Sequence, residues 1–493
     1  MKPVTALLTA ADPADVLALA RALARTGLVE ELLLIAPPEA KAGPTTLASL
    51  PCEVLPTAEP GSSASLAPLL KGLRTPFLLQ IPPVGRLDPH PWALARLVQA
   101  ATEHRAGLVY GDYLDEKDGA LRPHPLADHQ PGSLEDRFPL GPWALWSVDA
   151  LGAACDAHDP LPEGLRWHGW YALRLAVARV APVVHLPEPL GVLRPLDARA
   201  SGQRIFDYLT VPREAQVEAE QVCTRHLAGL GALVRGPAEP FTSRAPGYPV
   251  EASVVIPVRN RVGTVGDAVQ SALSQQAPFA FNVIVVDNHS SDGTTDLLKS
   301  RAAADPRLIH VVPARQDLGI GGCWNEAVFH PRCGRYAVQL DSDDLYAGPD
   351  TLARMVALLR DEHCGLAVGS YTLVDMALDV LPPGLIDHRE WTAENGPNNA
   401  LRVGGLGAPR AFAIELLRQS PFPNASYGED YAVALRLSRR WKVGRIFDSL
   451  YLCRRWEGNT DADLSPELAA RHQRYKDGIR TQEIEARQLG RGR

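Results

Sequence analysis

The chain carries the same pattern twice. Phe77-Leu-Leu-Gln80 answers to Tyr336-Ala-Val-Gln339, Leu94-Ala-Arg-Leu-Val98 to Leu352-Ala-Arg-Met-Val356, and Gly107-Leu-Val-Tyr-Gly-Asp-Tyr113 to Gly365-Leu-Ala-Val-Gly-Ser-Tyr371, at offsets of 259, 258 and 258 residues. Trp170-Tyr-Ala-Leu173 and Asp430-Tyr-Ala-Val433 lie 260 apart. Near-constant spacing over separate segments marks an internal duplication, so the architecture of one half constrains that of the other. At 493 residues and 46% apolar content, the chain can fill at least two domain cores.

Within each half, strands and helices alternate. Ser253 to Ile256 is a β-branched run, 265–274 has helical spacing, and Val283 to Val286 is a second run ending at Asp287. Residues 5–9, 15–25 and 32–35 repeat that order. Such alternation predicts an α/β layer with parallel strands. Residues 236–249 hold four prolines and no apolar periodicity, which reads as a linker. The predicted domains are 1–235 and 250–493.

The halves differ in their carboxylates. Where the second has Asp341-Ser342-Asp343, the first has Pro82-Pro83-Val84; Glu429-Asp430 faces Gly169-Trp170, and Asp287 falls opposite approximately Ala36. Taken alone, an acidic run after a strand is an ordinary solvated turn or helix N-terminus, and Asp344 and Asp350 do precede a helical stretch at 351–360. Joint loss from one copy is odd for caps and turns that the fold still needs. It is expected of a catalytic set in a copy that no longer does chemistry. Carboxylates at a strand's end suit Mg²⁺ or Mn²⁺, which accept a few of them and leave positions for substrate phosphates. The cluster points to phosphate-ester chemistry.

A formal charge of -7, without a basic stripe interleaved with aromatics, argues against nucleic acid as a partner. Seven scattered cysteines without a Cys-x-x-Cys pair fit reduced thiols better than a disulfide framework or zinc site. No apolar run reaches the roughly 18 residues of a membrane span, and the N-terminus lacks a signal-peptide pattern. The expectation is a cytoplasmic protein, with attachment at the inner membrane face and self-association left open. The stretch 466–488, rich in Arg and Glu with Leu468, Tyr475 and Ile479 at helical spacing, predicts a helix on the second domain or on a partner protomer.

Val254-Val-Ile-Pro257-Val258-Arg259-Asn260-Arg261, Val285-Val-Asp287-Asn288-His289-Ser290-Ser-Asp292-Gly293-Thr294, Leu318-Gly319, Trp324-Asn325-Glu-Ala327, Asp341-Ser-Asp343-Asp344 and Gly428-Glu429-Asp430 follow in that order. Over about 210 residues they resemble a family 2 glycosyltransferase of GT-A fold. The resemblance implies two tandem GT-A-like (nucleotide-diphospho-sugar transferase) domains with mixed, mostly parallel sheets, the first a degenerate copy. It also implies metal-dependent, inverting transfer from a nucleotide-sugar donor, UDP being the family's common choice. The receiving hydroxyl would belong to a saccharide, lipid-linked or protein acceptor.

Carried onto this chain, the resemblance makes Asp343 a ligand of Mn²⁺ or Mg²⁺ and Asp341 a ribose or metal contact. Asp287 would bind the nucleobase, with Pro257 and Val258 packing on it or meeting it through the backbone, and Asn260 and Asn325 would belong to the donor site. Asp430 would be the general base, with Glu429 supporting it or binding the acceptor. Structural roles compete with these: a turn at 287–293 capping the next helix, and an N-cap at 429–430.

Two departures stand out. Trp324 occupies the position where the family often has Arg. The segment Tyr451-Leu-Cys-Arg454-Arg455-Trp456-Glu457-Gly458-Asn459 lacks the histidine metal ligand found in many members. Glu457 could replace that histidine, Arg454 and Arg455 could hold the diphosphate, or the loop could simply be solvated. A sugar-phosphate nucleotidylyltransferase would need a Gly-rich phosphate loop, which residues 257–263 are not; a non-catalytic tandem carbohydrate- or nucleotide-binding scaffold is the remaining alternative.

Overall fold

Apolar runs that open each half become strands because helices cover both faces of the sheet, which removes the need for alternating polar residues. In the second half all seven residues of Phe281–Asp287 are buried, and in Ala252–Val258 only Pro257 is partly exposed. The structure is a computed structural model that describes all residues except 1, 10–11, 118, 157–160, 197–210, 457, 460–463 and 491–493. It divides into two compact units, Met1–Ala232 with Asp463–Gln488, and Leu233–Ala462.

In the first unit, β1 (Val4–Thr9), β2 (Val29–Ala36), β3 (Leu50–Pro56), β4 (Phe77–Ile81), β5 (Leu108–Gly111), β6 (Ala144–Ser147) and β7 (Val183–Leu186) lie in the order β3-β2-β1-β4-β6-β5-β7. Its helices include α1 (Gly169–Val180) and α2 (Arg213–Leu230). In the second unit the corresponding strands are β8 (Ala252–Val258), β9 (Phe281–Asp287), β10 (Leu308–Val311), β11 (Tyr336–Gln339), β12 (Leu366–Val374), β13 (Arg410–Ala413) and β14 (Val443–Arg454). They lie in the order β10-β9-β8-β11-β13-β12-β14. Thus the two sheets share one permutation. In both, only β6 or its counterpart β13 runs antiparallel to its neighbours along this path.

Register makes the correspondence exact to the residue. Ala6 pairs with Leu32 and Leu79, as Val254 pairs with Val283 and Val338. Counting along the strands, Ala36 stands at Asp287, Pro82 at Asp341 and Val84 at Asp343. The helices α1 and α7 (Glu429–Ser438) begin at equivalent points, which puts Gly169 at Glu429 and Trp170 at Asp430.

Two expectations about the chain's organisation need correction. The 236–249 segment lacks helix and strand but is fastened to the second unit: Phe241 N donates to His363 O at 2.7 Å, and Glu239 N to Arg440 O at 2.8 Å. The C-terminal helix, α8 (Pro466–Leu489), belongs with the first unit instead of the second. Gly132 N donates to Thr481 Oγ1 at 2.9 Å, Ser133 Oγ to Asp477 Oδ2 at 2.8 Å, and Arg480 Nη2 to Glu135 Oε1 at 2.5 Å. Apolar spacing could not reveal this because the docking face is charged: Asp477, Arg480, Glu483 and Arg487 are all buried. Among the described residues no helix is long and apolar enough to cross a membrane.

Candidate functional site

The carboxyl ends of β8 and β9 release two loops that fasten to each other. Val258 O accepts from Asn288 N at 2.8 Å. Asn260 sits at φ 54°, a left-handed conformation that Asn tolerates. There its N–H donates to Ser290 Oγ at 2.9 Å while its Oδ1 accepts from Ser291 N at 2.8 Å. Arg261 N donates to Thr294 Oγ1 at 2.9 Å and Val262 N to Asp292 Oδ2 at 3.1 Å. Asn260 therefore acts as the clasp between the loops.

Asp287 is wholly buried, and its carboxylate accepts from Ser290 N at 3.0 Å, Thr295 Oγ1 at 2.5 Å and His310 Nε2 at 3.2 Å. Burial pushes this carboxyl up, but the hydrogen bonds from Ser290, Thr295 and His310 outweigh it and hold the group below its ordinary range. The competing structural role is thus plain in the geometry: Asp287 holds the turn leading into α4 (Thr294–Ala304). Pro257 and Val258 lie beside it on β8, paired with Val286 and Asp287.

The strand β11 ends in the acidic turn. Asp341 N donates to Tyr451 Oη at 3.0 Å, and both Asp341 carboxylate oxygens accept from Gln339 Nε2, at 3.0 and 3.1 Å. Burial raises the Asp341 carboxyl and the charge of Asp343 adds to it, against the hydrogen bond from Gln339 and the charge of Arg410. Asp343 Oδ2 accepts from Trp456 Nε1 and Asn459 Nδ2, each at 3.3 Å, with Arg261 Nε 4.0 Å away. The Arg261 guanidinium lies 5.6 Å from the Trp456 ring centre, and its Nη2 donates to Gly458 O at 3.1 Å.

Asp344 has a different job from its two neighbours. It is buried and accepts from Arg454 N at 2.8 Å, which ties the turn to β14. Burial, then the charges of Asp341 and Asp343, push its carboxyl well above the ordinary range. It does not cap the helix Thr351–Asp361, whose N-cap residue is Asp350. Arg454 is buried too: Nε donates to Asp343 O, Nη1 reaches Asp267 Oδ2 at 2.9 Å, and Nη2 has no hydrogen-bond partner among the described residues.

Asp430 stands at the start of α7, where Oδ1 accepts from its neighbour Tyr431 N at 2.7 Å and Oδ2 forms an ion pair with Arg410 Nη1. Arg410 Nε donates to Gln339 Oε1 at 2.9 Å. A continuous chain of polar contacts therefore joins Asp430 to Asp341 through Arg410 and Gln339. Glu429 is buried beside it, and Gly321 on α5 (Ile320–Val328) comes so close that an added Cβ would lie 3.0 Å from Glu429 Cβ.

Asn325 does not join this group. Its Nδ2 donates to Phe422 O at 2.9 Å and its Oδ1 accepts from Phe422 N at 3.0 Å, so both ends of the amide hold the 422 loop. The amide expected at the donor site thus has backbone partners at both ends. Trp324 is buried, stacked 5.0 Å from Phe422 and edge-on to Phe412 at 6.0 Å, which makes it a packing residue. Glu457, expected as an oxygen ligand, lies outside the described residues. Among the described residues no group of three or more His, Cys, Asp or Glu side chains is placed to hold a metal ion. Sequence reasoning assigned no role to Arg410, Gln339 or Arg261.

The sequence profile described as "Glycosyl transferase family 2" matches residues 253–419. The putative teichuronic acid biosynthesis glycosyltransferase TuaG of Bacillus subtilis (strain 168) is 35% identical over 190 residues, 38% of this chain and 72% of that protein. The succinoglycan biosynthesis protein ExoO of Rhizobium meliloti (strain 1021) is 32% identical over 126 residues, 26% of this chain and 34% of its own length. Among solved structures, S. aureus TarS 1-349 in complex with UDP-GlcNAc is 19% identical with a TM-score of 0.36, over 49% of this chain and 73% of that one.

Proposed function

The chain belongs to glycosyl transferase family 2, and from that premise we propose that its second unit moves a sugar from a nucleotide-diphosphate donor, with UDP favoured, to an acceptor hydroxyl, inverting the anomeric carbon. The acidic turn carries this reading. Three carboxylates crowd the end of one strand, and burial and mutual repulsion raise two of them. Hard oxygen donors crowded in this way fit Mg²⁺ or Mn²⁺. Asp343 would hold the ion, and Asp341 would hold the ribose or the ion. When bound, the ion supplies Lewis-acid stabilisation of the diphosphate leaving group.

The chain's own residues would do the rest. Arg261, beside Asp343, and Arg454, with one nitrogen unpartnered among the described residues, would meet the diphosphate together with Arg455. Pro257 and Val258 would meet the base at the carboxyl end of the sheet, on a wall kept in shape by Asn260 and Asp287. Asp430 would take the proton of the acceptor hydroxyl as it attacks opposite the diphosphate. Glu429 would support it or bind the acceptor, whether saccharide, lipid-linked or protein.

The first unit is best read as a degenerate copy that serves the acceptor, a partner or a second protomer. Pro82, Val84, Ala36 and Trp170 at the acidic positions support this. A cytoplasmic location, free or at the inner membrane face, matches the reading.

The test is nucleoside diphosphate release by the full chain from a panel of UDP- and GDP-sugars, with Mn²⁺ or with chelator. At least one donor should turn over, and chelator should abolish release. Asp343→Ala should cut release more than about a hundredfold at an unchanged unfolding temperature. Full activity of that variant, or turnover indifferent to chelator, would overturn the assignment.

A further inference from the structure

We propose that Arg410 and Gln339 are positioning residues that hold the carboxylates of Asp430 and Asp341 on one hydrogen-bonded chain, fixing the acceptor side of the site against the donor side. This rests on the reading of Asp430 as the general base and adds to it the machinery that aims that base.

The chemistry of the two linkers suits the task. A guanidinium stays charged and presents donors along different edges of one rigid plane. Arg410 uses Nε for Gln339 Oε1 and Nη1 for Asp430, which no single ammonium on a flexible stem reproduces. A primary amide has an acceptor and a donor in one group. Gln339 turns the acceptor to Arg410 and the donor to both Asp341 oxygens. The chain is itself anchored: Tyr346 Oη donates to Gln339 O at 2.9 Å, and Tyr451 Oη accepts from Asp341 N at 3.0 Å. The Arg410 side chain is 12% exposed, surrounded by the charges or hydroxyls of Asp341, Glu429, Tyr451 and Tyr371.

The first unit supplies an internal control. Leu79 pairs with Leu145 there as Val338 pairs with Ala411 here, so Gln80 occupies the place of Gln339 and Ala144 that of Arg410. The amide survives, but its Oε1 accepts from Trp146 Nε1 at 3.0 Å, and the Trp146 ring lies 5.6 Å from that of Trp170 at the Asp430 position. The arginine has gone together with the carboxylates it would serve. Other polar contacts at the same place remain in both units: Tyr171 Oη donates to Leu134 O and Tyr431 Oη to Ala400 O, each at 2.5 Å. The fold therefore keeps what it needs structurally and does without the cation.

The experiment is a double-mutant cycle on donor turnover. Arg410→Met, Arg410→Lys and Gln339→Met are each made alone and with Asp430→Asn, with unfolding temperature as the check on folding. Arg410→Met should lower kcat up to about a hundredfold, the scale of a misplaced catalytic group. The KM for donor and the calorimetric affinity for UDP with Mn²⁺ should stay within about twofold. Arg410→Lys should recover part of the loss, and Gln339→Met should fall between Arg410→Met and wild type. In the Asp430→Asn background each added change should cost less than about threefold.

Three results would overturn the proposal. The first is wild-type kcat in folded Arg410→Met and Gln339→Met beside an inactive Asp430→Asn, which sinks the relay alone. The second is a loss that multiplies in full with that of Asp430→Asn. In the third, wild-type turnover by Asp430→Asn itself, the reading of the base fails first and the relay with it.

Discussion

Replacing Asp287 by alanine separates a residue that shapes the site from one that touches the nucleotide. The side chain is inaccessible and accepts three hydrogen bonds, from Ser290 N, Thr295 Oγ1 and His310 Nε2. A hydrogen bond to a charged acceptor is worth about 1.5–3 kcal/mol net. Simple summation overshoots, because removing the carboxylate also removes its burial cost, so a net loss of about 3 kcal/mol is expected. With an m-value of roughly 2–3 kcal/mol per molar urea, the midpoint of the second unit's transition should fall by about 1 M. Asp287→Asn keeps an acceptor for Ser290 N and should lose only about 1 kcal/mol.

The effect of pH has a definite sign. The folded-state pKa of Asp287 lies below its ordinary value, since burial raises it less than the hydrogen bonds lower it. Its stabilisation is therefore complete above the unfolded pKa of about 3.9 and disappears as pH falls through the folded value. The midpoint difference between wild type and Asp287→Ala should be constant at neutral pH and shrink below about pH 4. Urea titrations at several pH values measure it. An unchanged midpoint in Asp287→Ala, with UDP affinity alone reduced, would refute the structural role; so would a difference that widens in acid.

Two further outcomes follow from packing. Trp324→Ala empties a buried aromatic stack and should cost about 3–5 kcal/mol, whereas Trp324→Arg, which restores the residue common in the family, should fare no better because it buries an unpaired charge; differential scanning calorimetry reads both, and unchanged unfolding of either would contradict the packing role. Asp477→Ala takes from the buried Arg480 one of its carboxylate partners, the one 2.7 Å away, and leaves Glu135. That should destabilise the first unit by about 3–5 kcal/mol and leave the second unit's transition in place, so a shift confined to the second unit would show α8 docked elsewhere.

The duplication was legible because it is local in sequence: strand runs and their following motifs keep their spacing, and Ala36, Pro82 and Trp170 fall opposite Asp287, Asp341 and Asp430 as the strand register and helix starts also place them. Arg410 was hidden for a geometric reason. Its counterpart Ala144 lies 266 residues earlier, outside the 258–260 spacing of the other matches, because the connection into the antiparallel strand differs in length between the units. Only pairing across the sheet aligns them. The partner of Asn325 was hidden in the same way: its amide bonds the backbone of Phe422, 97 residues on.

By itself, then, the sequence determined the family, the doubled α/β plan and the acidic turn, since periodicity, strand ends and motif order are properties of neighbouring residues. Tertiary structure alone decided which partner each carboxylate takes. Asp344 went to the backbone of Arg454, Asp287 to its own turn, and Asp341 and Asp430 to the two ends of one polar chain. It also decided that α8 docks by charge on the first unit. The physical reason is the same in each case. A buried polar group must find a partner, and the partner comes from whichever distant strand or helix the fold brings within reach.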